Sequence, residues 1–184
     1  MGKVSKRPEA QKQRQKLIFV TGGAKSGKSS FALEEAEKIK GRKVYIATAE
    51  ALDDEMRQRI ERHRMQRNPD WDTCEEPLLI SEAISKLAAC YNVILLDCLT
   101  LWLSNAMHRN ADIEREIDKL LKTVQQAPGV HVYIVSNEVG TGIVPENELA
   151  REFRDLAGSM NQRVAGASDE VFMVVAGIPV KIKG

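Results

Sequence analysis

The chain alternates short apolar runs with longer segments in which apolar residues recur every three or four positions. Leu17-Ile18-Phe19-Val20, Val93-Ile94-Leu95-Leu96 and Val132-Tyr133-Ile134-Val135 contain no charged residue. Runs of this kind are the pattern of strands covered on both faces in a largely parallel sheet. The periodicity predicts strands over 17–22, 43–48, 92–97, 130–136, 170–176 and 179–183, and helices over 28–40, 52–67, 81–90, 99–107, 112–126 and 146–165. Strands that alternate with helices predict an α/β architecture, a mostly parallel sheet with helices on both faces. The last two strands, split by Gly177-Ile178-Pro179, are expected to form a hairpin that leaves one antiparallel edge. No internal repeat interrupts the order, and ligands of such a sheet sit beyond the carboxyl ends of its strands.

Composition narrows the picture. A chain of 184 residues is long enough for one domain with a full core. That domain is expected over 17–184. Residues 1–16 carry Lys3, Lys6, Arg7, Lys12, Arg14 and Lys16 against the single acid Glu9, and read as a mobile basic tail, or alternatively as an arm for an anionic partner. The 27 Lys and Arg balance 26 Asp and Glu, so no global basic field argues for a nucleic-acid partner, and any anion site must be local. Cys74, Cys90 and Cys98 form no C-x-x-C pair and leave one thiol over, which suits reduced cysteines in a cytoplasmic protein. No apolar stretch approaches the roughly 18 residues of a membrane span.

The strongest chemical signal is Gly22-Gly23-Ala24-Lys25-Ser26-Gly27-Lys28-Ser29, a G-x-x-x-x-G-K-S loop between the first strand and the first helix. Such a loop turns successive backbone N–H groups onto phosphate oxygens, and the helix that follows adds its positive end. Lys28 contributes a full charge and Ser29 a hydroxyl for Mg²⁺, so a nucleoside triphosphate is the expected ligand. Asp97 closes the strand over 92–97, where an acidic residue of a phosphate-binding-loop protein contacts Mg²⁺ directly or through water. Its alternative role is N-cap of the next helix. Ser136-Asn137-Glu138 closes the following strand on the same rim, which makes Glu138 a competitor for metal or acceptor contact. In the helix over 52–67, Leu52, Met56 and Ile60 step by four, with His63 on or beside that stripe and Arg67 one turn on. A histidine there is a proton shuttle, a covalent nucleophile or a packed side chain; the absence of a second ligand at suitable spacing argues against metal. His108 at a helix end and His131 at a strand start carry weaker cases.

These blocks resemble the bifunctional adenosylcobinamide kinase / adenosylcobinamide-phosphate guanylyltransferase family of cobalamin biosynthesis. The matching residues are Val20 through Ser29, Tyr45-Ile46-Ala47-Thr48, Leu52-Asp53-Asp54-Glu55-Met56 with Arg59, Ile60 and His63, and Trp71 with Thr73 and Glu75. They continue through Ser136-Asn137-Glu138-Val139-Gly140, Gly142-Ile143-Val144-Pro145, Phe153 to Gly158, Asn161-Gln162-Arg163 and Val180 to Lys183. The likeness spans nearly everything after the tail. It departs at Asn68, which stands before Pro69 where the family has proline at once, and at Asp97, often Glu in the family.

The resemblance implies a single-domain, P-loop NTPase-like (RecA-like) fold and an enzyme acting on adenosylcobinamide and its phosphate. His63 is then the residue that accepts GMP, with Lys28 as its catalytic companion. Nucleotide contacts are implied at Thr21, Gly22, Gly23, Ala24, Lys25, Ser26, Gly27, Lys28 and Ser29, at Ala47, Thr48 and Ala49, at Arg64, Met65, Gln66 and Arg67, and at Glu75 and Asp97. Ser29 and Asp97 are the implied Mg²⁺ residues, GTP and ATP the nucleotide substrates, and a homotrimer the implied assembly. A plain small-molecule kinase without a covalent step, or a nucleotide-dependent switch, are the rival readings of the same loop.

Overall fold

All six residues of β1 (Leu17–Gly22) are buried, because the strand lies inside the sheet with helices on either face. The structure is a computed structural model and describes residues 15–50, 70–127 and 129–184. Along the chain follow α1 (Lys28–Glu37), β2 (Lys43–Ala47), β3 (Trp71–Glu75), α2 (Ile80–Leu87), β4 (Val93–Asp97), α3 (Leu99–His108), α4 (Ile113–Gln125), β5 (His131–Asn137), α5 (Glu148–Ala167), β6 (Glu170–Val175) and β7 (Ile178–Lys183). The helix expected over 52–67, and with it His63 and Arg64 to Arg67, lies outside the described residues.

The seven strands form one sheet in the order β3-β2-β4-β5-β1-β6-β7. Every pairing is parallel except β6 with β7, which is the antiparallel hairpin that the glycine-proline punctuation predicts. Alternate residues of each strand feed two cores. Leu17, Phe19, Ile46, Leu96 and Ile134 pack with Ile84, Trp102, Leu120 and Met160 from α2, α3, α4 and α5. Ile18, Val20, Leu95 and Val135 face Ala32 and Ala36 of α1. Full burial of each such aliphatic side chain stabilises the fold by about 1.5–3 kcal/mol.

The helices begin where side chains satisfy their free N–H groups. Asp112 accepts from Arg115 N at the start of α4, and Asn147 accepts from Ala150 N at the start of α5. Along α4 the residues Ile113, Ile117, Leu120 and Val124 form the buried stripe. The strand β3 is absent from the sequence expectations. Its five residues, Trp71-Asp72-Thr73-Cys74-Glu75, include only one fully buried side chain, Trp71, and pair with β2 alone. Before β1, Gln15 and Lys16 are already tied to the fold: Gln15 Nε2 donates to Val124 O at 2.9 Å, and Lys16 pairs with Glu170.

Candidate active site

The register brings the carboxyl ends of five strands to one rim. Ala47 is paired with both Asp97 and Glu75, Gly22 with Asn137, and Asp97 with Val135. The glycine-rich loop leaves β1 at this rim. Gly22 is pressed against β6, so that a Cβ there would lie 2.4 Å from the Val174 carbonyl oxygen. Gly27 adopts a left-handed φ of 93° as the N-cap of α1, a conformation that favours glycine. Neighbours hold the loop on both sides: Glu138 N donates to Gly22 O at 3.0 Å, and Gly177 N, from the β6–β7 turn, donates to Ser26 O at 2.9 Å.

Inside the loop, Lys28 is buried to 7% exposure and its Nζ donates to the Gly23 carbonyl at 3.0 Å. Ser26 Oγ and Thr21 Oγ1 are buried without a hydrogen-bond partner. Buried polar atoms normally find partners, so orphaned hydroxyls at the mouth of a helix N-terminus fit a ligand rich in acceptor oxygens. The first N–H groups of α1 point the same way.

Asp97 sits half-buried at the end of β4, and its Oδ2 accepts from Tyr45 Oη at 2.6 Å. It is not the helix cap: Cys98 occupies that position, with no side-chain cap bond. The Asp97–Cys98 segment is clamped by Thr48. Thr48 N donates to Asp97 O at 3.2 Å, its hydroxyl donates to Cys98 O at 2.8 Å, and Cys98 N donates to the same Oγ1 at 2.8 Å. Asn105 Nδ2 in turn donates to Thr48 O at 2.8 Å. Thr48 is therefore completely buried, and its hydroxyl is turned toward Cys98 rather than the rim. Beyond Cys98, Thr100 Oγ1 accepts from Asn137 Nδ2 at 2.7 Å, and Asn161 Nδ2 donates to Asn137 O at 3.1 Å. This chain of bonds couples the ends of β2, β4 and β5 to α3 and α5.

Burial, and next to it the Asp97 charge, pushes the Cys98 thiol up to about 11. It is an inert member of the network. Glu138 Oε1 accepts from Gly140 N at 2.7 Å, which ties the carboxylate to the loop that follows β5. Glu75 ends β3 at the rim and is exposed, Ala47 is buried in the core, and Ala49 is half-buried. His108 lies at the end of α3 with Nδ1 against Ser104 O at 2.7 Å, and His131 is buried at the start of β5, on the opposite edge from the rim.

A Mg²⁺ ion fits the residues present. Ser29, in the first turn of α1, offers a half-buried hydroxyl, and Asp97 keeps Oδ1 free of partners among the described residues. One hydroxyl and one carboxylate, the rest supplied by phosphate and water, is the set this ion prefers. Among the described residues no cluster of three His, Cys, Asp or Glu forms an all-protein cage. Sequence reasoning missed Tyr45, the Thr48 clamp and the Thr100–Asn137 bond. Tyr45 sits in an apolar strand and reads as core, and nothing in the spacing reveals which hydroxyls face one another across strands.

A glycine-rich phosphate cradle at the rim of a parallel sheet, with an acid closing a neighbouring strand, defines a P-loop nucleotide-dependent enzyme of RecA-like fold. Solved structures carry the same fold: the flagellar accessory protein FlaH from Methanocaldococcus jannaschii superposes with a TM-score of 0.54 at 13% identity, covering 91% of this chain and 78% of that one. The RadB recombinase gives 0.51 at 14% identity, covering 86% of this chain and 73% of that one.

Residues 18–182 match the family described as cobinamide kinase / cobinamide phosphate guanyltransferase, and the chain belongs to that family. Among its curated relatives, the bifunctional adenosylcobalamin biosynthesis protein CobU of Salmonella typhimurium is 44% identical, with 91% of this chain and 99% of that protein aligned. The CobU protein of Escherichia coli is 43% identical over the same shares, and the CobP protein of Pseudomonas aeruginosa is 41% identical, with 90% and 96% aligned. The chain is thus an enzyme with cobinamide kinase and cobinamide-phosphate guanylyltransferase activities.

Proposed function

We propose that the chain phosphorylates the aminopropanol hydroxyl of adenosylcobinamide with ATP or GTP and then transfers GMP from GTP to the phosphorylated product through His63. The observation that carries the reading is the cradle: Lys28, the orphaned Ser26 hydroxyl and the start of α1 converge on one anion position beside Asp97. In the first step Lys28 exchanges its bond to Gly23 O for phosphate oxygens and stabilises the charge that develops as the γ-phosphoryl group moves to the hydroxyl. Mg²⁺, held by Ser29 and Asp97, supplies further neutralisation of the phosphate oxygens when bound. Tyr45 and Thr48 hold the Asp97 carboxylate in place throughout.

In the second step a neutral His63 imidazole attacks the α-phosphorus of GTP, forming a phosphorus–nitrogen bond as pyrophosphate leaves. An oxygen of the cobinamide phosphate then attacks the same phosphorus, displaces the imidazole and yields adenosylcobinamide-GDP. Splitting the transfer keeps two polyanions from meeting in a single displacement. Both steps use one cradle, with Arg64 to Arg67 and Glu75 as further nucleotide contacts and a homotrimer as the working assembly.

Incubation with GTP labelled at the α-phosphate tests the covalent step. An acid-labile protein adduct is expected, absent in His63→Ala, and forming more slowly below about pH 6.5, where an ordinary histidine is protonated. Phosphorylation of adenosylcobinamide without any such adduct would leave a plain kinase.

A further inference from the structure

The connection from β5 to α5, residues 138–147, has a composition that core packing does not explain. From Val139 to Pro145 it carries no charge, and its tip is apolar yet bare: Ile143 is 96% exposed and Val144 60%, with Leu149 of the following turn at 56%. Exposed branched side chains gathered on one segment mark a contact surface.

The segment is held out by bonds at both ends. Glu138 Oε1 accepts from Gly140 N, Arg151 donates to the carbonyls of Pro145 and Glu146, and Asn147 caps α5. It also hangs directly from the phosphate cradle through the Glu138 N to Gly22 O bond. Whatever approaches the cradle with more bulk than a single hydroxyl arm therefore meets this tip.

We infer that Ile143 and Val144, with Leu149 behind them, form the docking surface for the corrin macrocycle of the phosphoryl acceptor. The inference rests on the cobinamide kinase reading and adds a place for the acceptor. A corrin ring offers broad apolar faces fringed by amides, and the tip offers two branched side chains beside the Thr141 hydroxyl and the backbone groups of Gly140 and Gly142. Nothing charged in the stretch has to be desolvated when such a ring settles on it. A second copy of the chain is a poorer occupant, since three side chains fall well short of the about 800 Å² per partner that a stable protein interface buries.

The test is the double variant Ile143→Thr/Val144→Thr beside Ile143→Leu/Val144→Leu, in steady-state phosphorylation of adenosylcobinamide with light scattering on each protein. The threonine pair keeps the β-branched shape and is expected to raise the KM for adenosylcobinamide about tenfold, while the KM for nucleotide stays within about twofold. The leucine pair, apolar but reshaped, is expected to stay near the wild-type value, and the mass of both variants to match the wild type. A threonine pair with an unchanged acceptor KM overturns the inference, and so does a raised KM accompanied by dissociation into smaller species, which would make the tip a contact between chains. If the wild-type chain does not phosphorylate adenosylcobinamide, the acceptor reading itself fails and takes the inference with it.

Discussion

Among single residues, Thr48 shows most clearly how this site is built from behind. Its hydroxyl both donates to and accepts from Cys98, and its N–H reaches the Asp97 carbonyl, so one buried side chain fixes the path of the acidic strand end. Thr48→Val keeps the shape and removes the oxygen. It leaves a buried N–H and C=O unpaired, at a cost of about 2 kcal/mol in urea unfolding. Because Asp97 is then free to drift, kcat for phosphorylation is expected to fall about tenfold while the KM for nucleotide holds, since the cradle itself is untouched. An unchanged kcat would show that Asp97 needs no such clamp. Cys98, on the same network, makes a prediction about pH. Its thiol is pushed up to about 11, so in the fold it keeps its proton while an unfolded chain would lose it near 9.0. The contribution to stability is thus complete below pH 9 and is lost as pH rises toward 11. At pH 8 a thiol reagent should modify the exposed Cys90 first and reach Cys98 only at the rate of unfolding, as peptide mapping of partly labelled protein would show. Equal labelling of the two would contradict the burial.

At the level of elements, two glycines of the cradle region make different demands. Gly22 has no room: a Cβ would press on the Val174 carbonyl, which belongs to backbone paired in the sheet and cannot swing away. Gly177, in the hairpin turn, has open space around it and only a φ of 83° to object to a side chain. Gly22→Ala is therefore expected to push the loop off β6 and abolish nucleotide binding in a titration. Gly177→Ala should cost about 1 kcal/mol of stability and leave binding intact. Reversal of that order would mean that the loop is not seated on β6 at all. Elements also mark how far the sequence could be read. The motif at 22–29, the acidic end of β4 and the closing hairpin were legible because each depends on local spacing or turn chemistry. The strand β3 was not, since Asp72, Thr73 and Glu75 face solvent and only pairing with β2 makes them a strand. The bonds from Tyr45 to Asp97 and from Asn137 to Thr100 were equally hidden, because they join residues 52 and 37 positions apart. The Asp97 cap alternative was resolved by the fold, which gives that place to Cys98.

For the whole molecule, the cradle is not an appendage but the meeting point of both cores. Val20 and Val174 beneath it belong to the α1 side, Phe19 and Ile134 next to it to the side of α2–α5, and the rim is reached by β1, β2, β4 and β5 together. A ligand that binds there binds only when the entire sheet is assembled, so its affinity adds to global stability. At a GTP concentration of one hundred times Kd the gain is about 2.7 kcal/mol. For a chain of this size each kcal/mol raises Tm by about 2–4 °C, so a shift of about 5–10 °C is expected in calorimetry with GTP and Mg²⁺. Lys28→Ala separates the charge from the scaffold. The side chain is buried and bonded to Gly23 O, but the loop is also held by Glu138 and Gly177, so the variant should fold with a Tm close to that of the parent. What it loses is the ammonium opposite the phosphates, and its shift with GTP should shrink to under about 2 °C at the same concentration. If the variant gained as much from GTP as the parent, the nucleotide would be bound away from the loop, and the chemistry assigned to the rim would have to move with it.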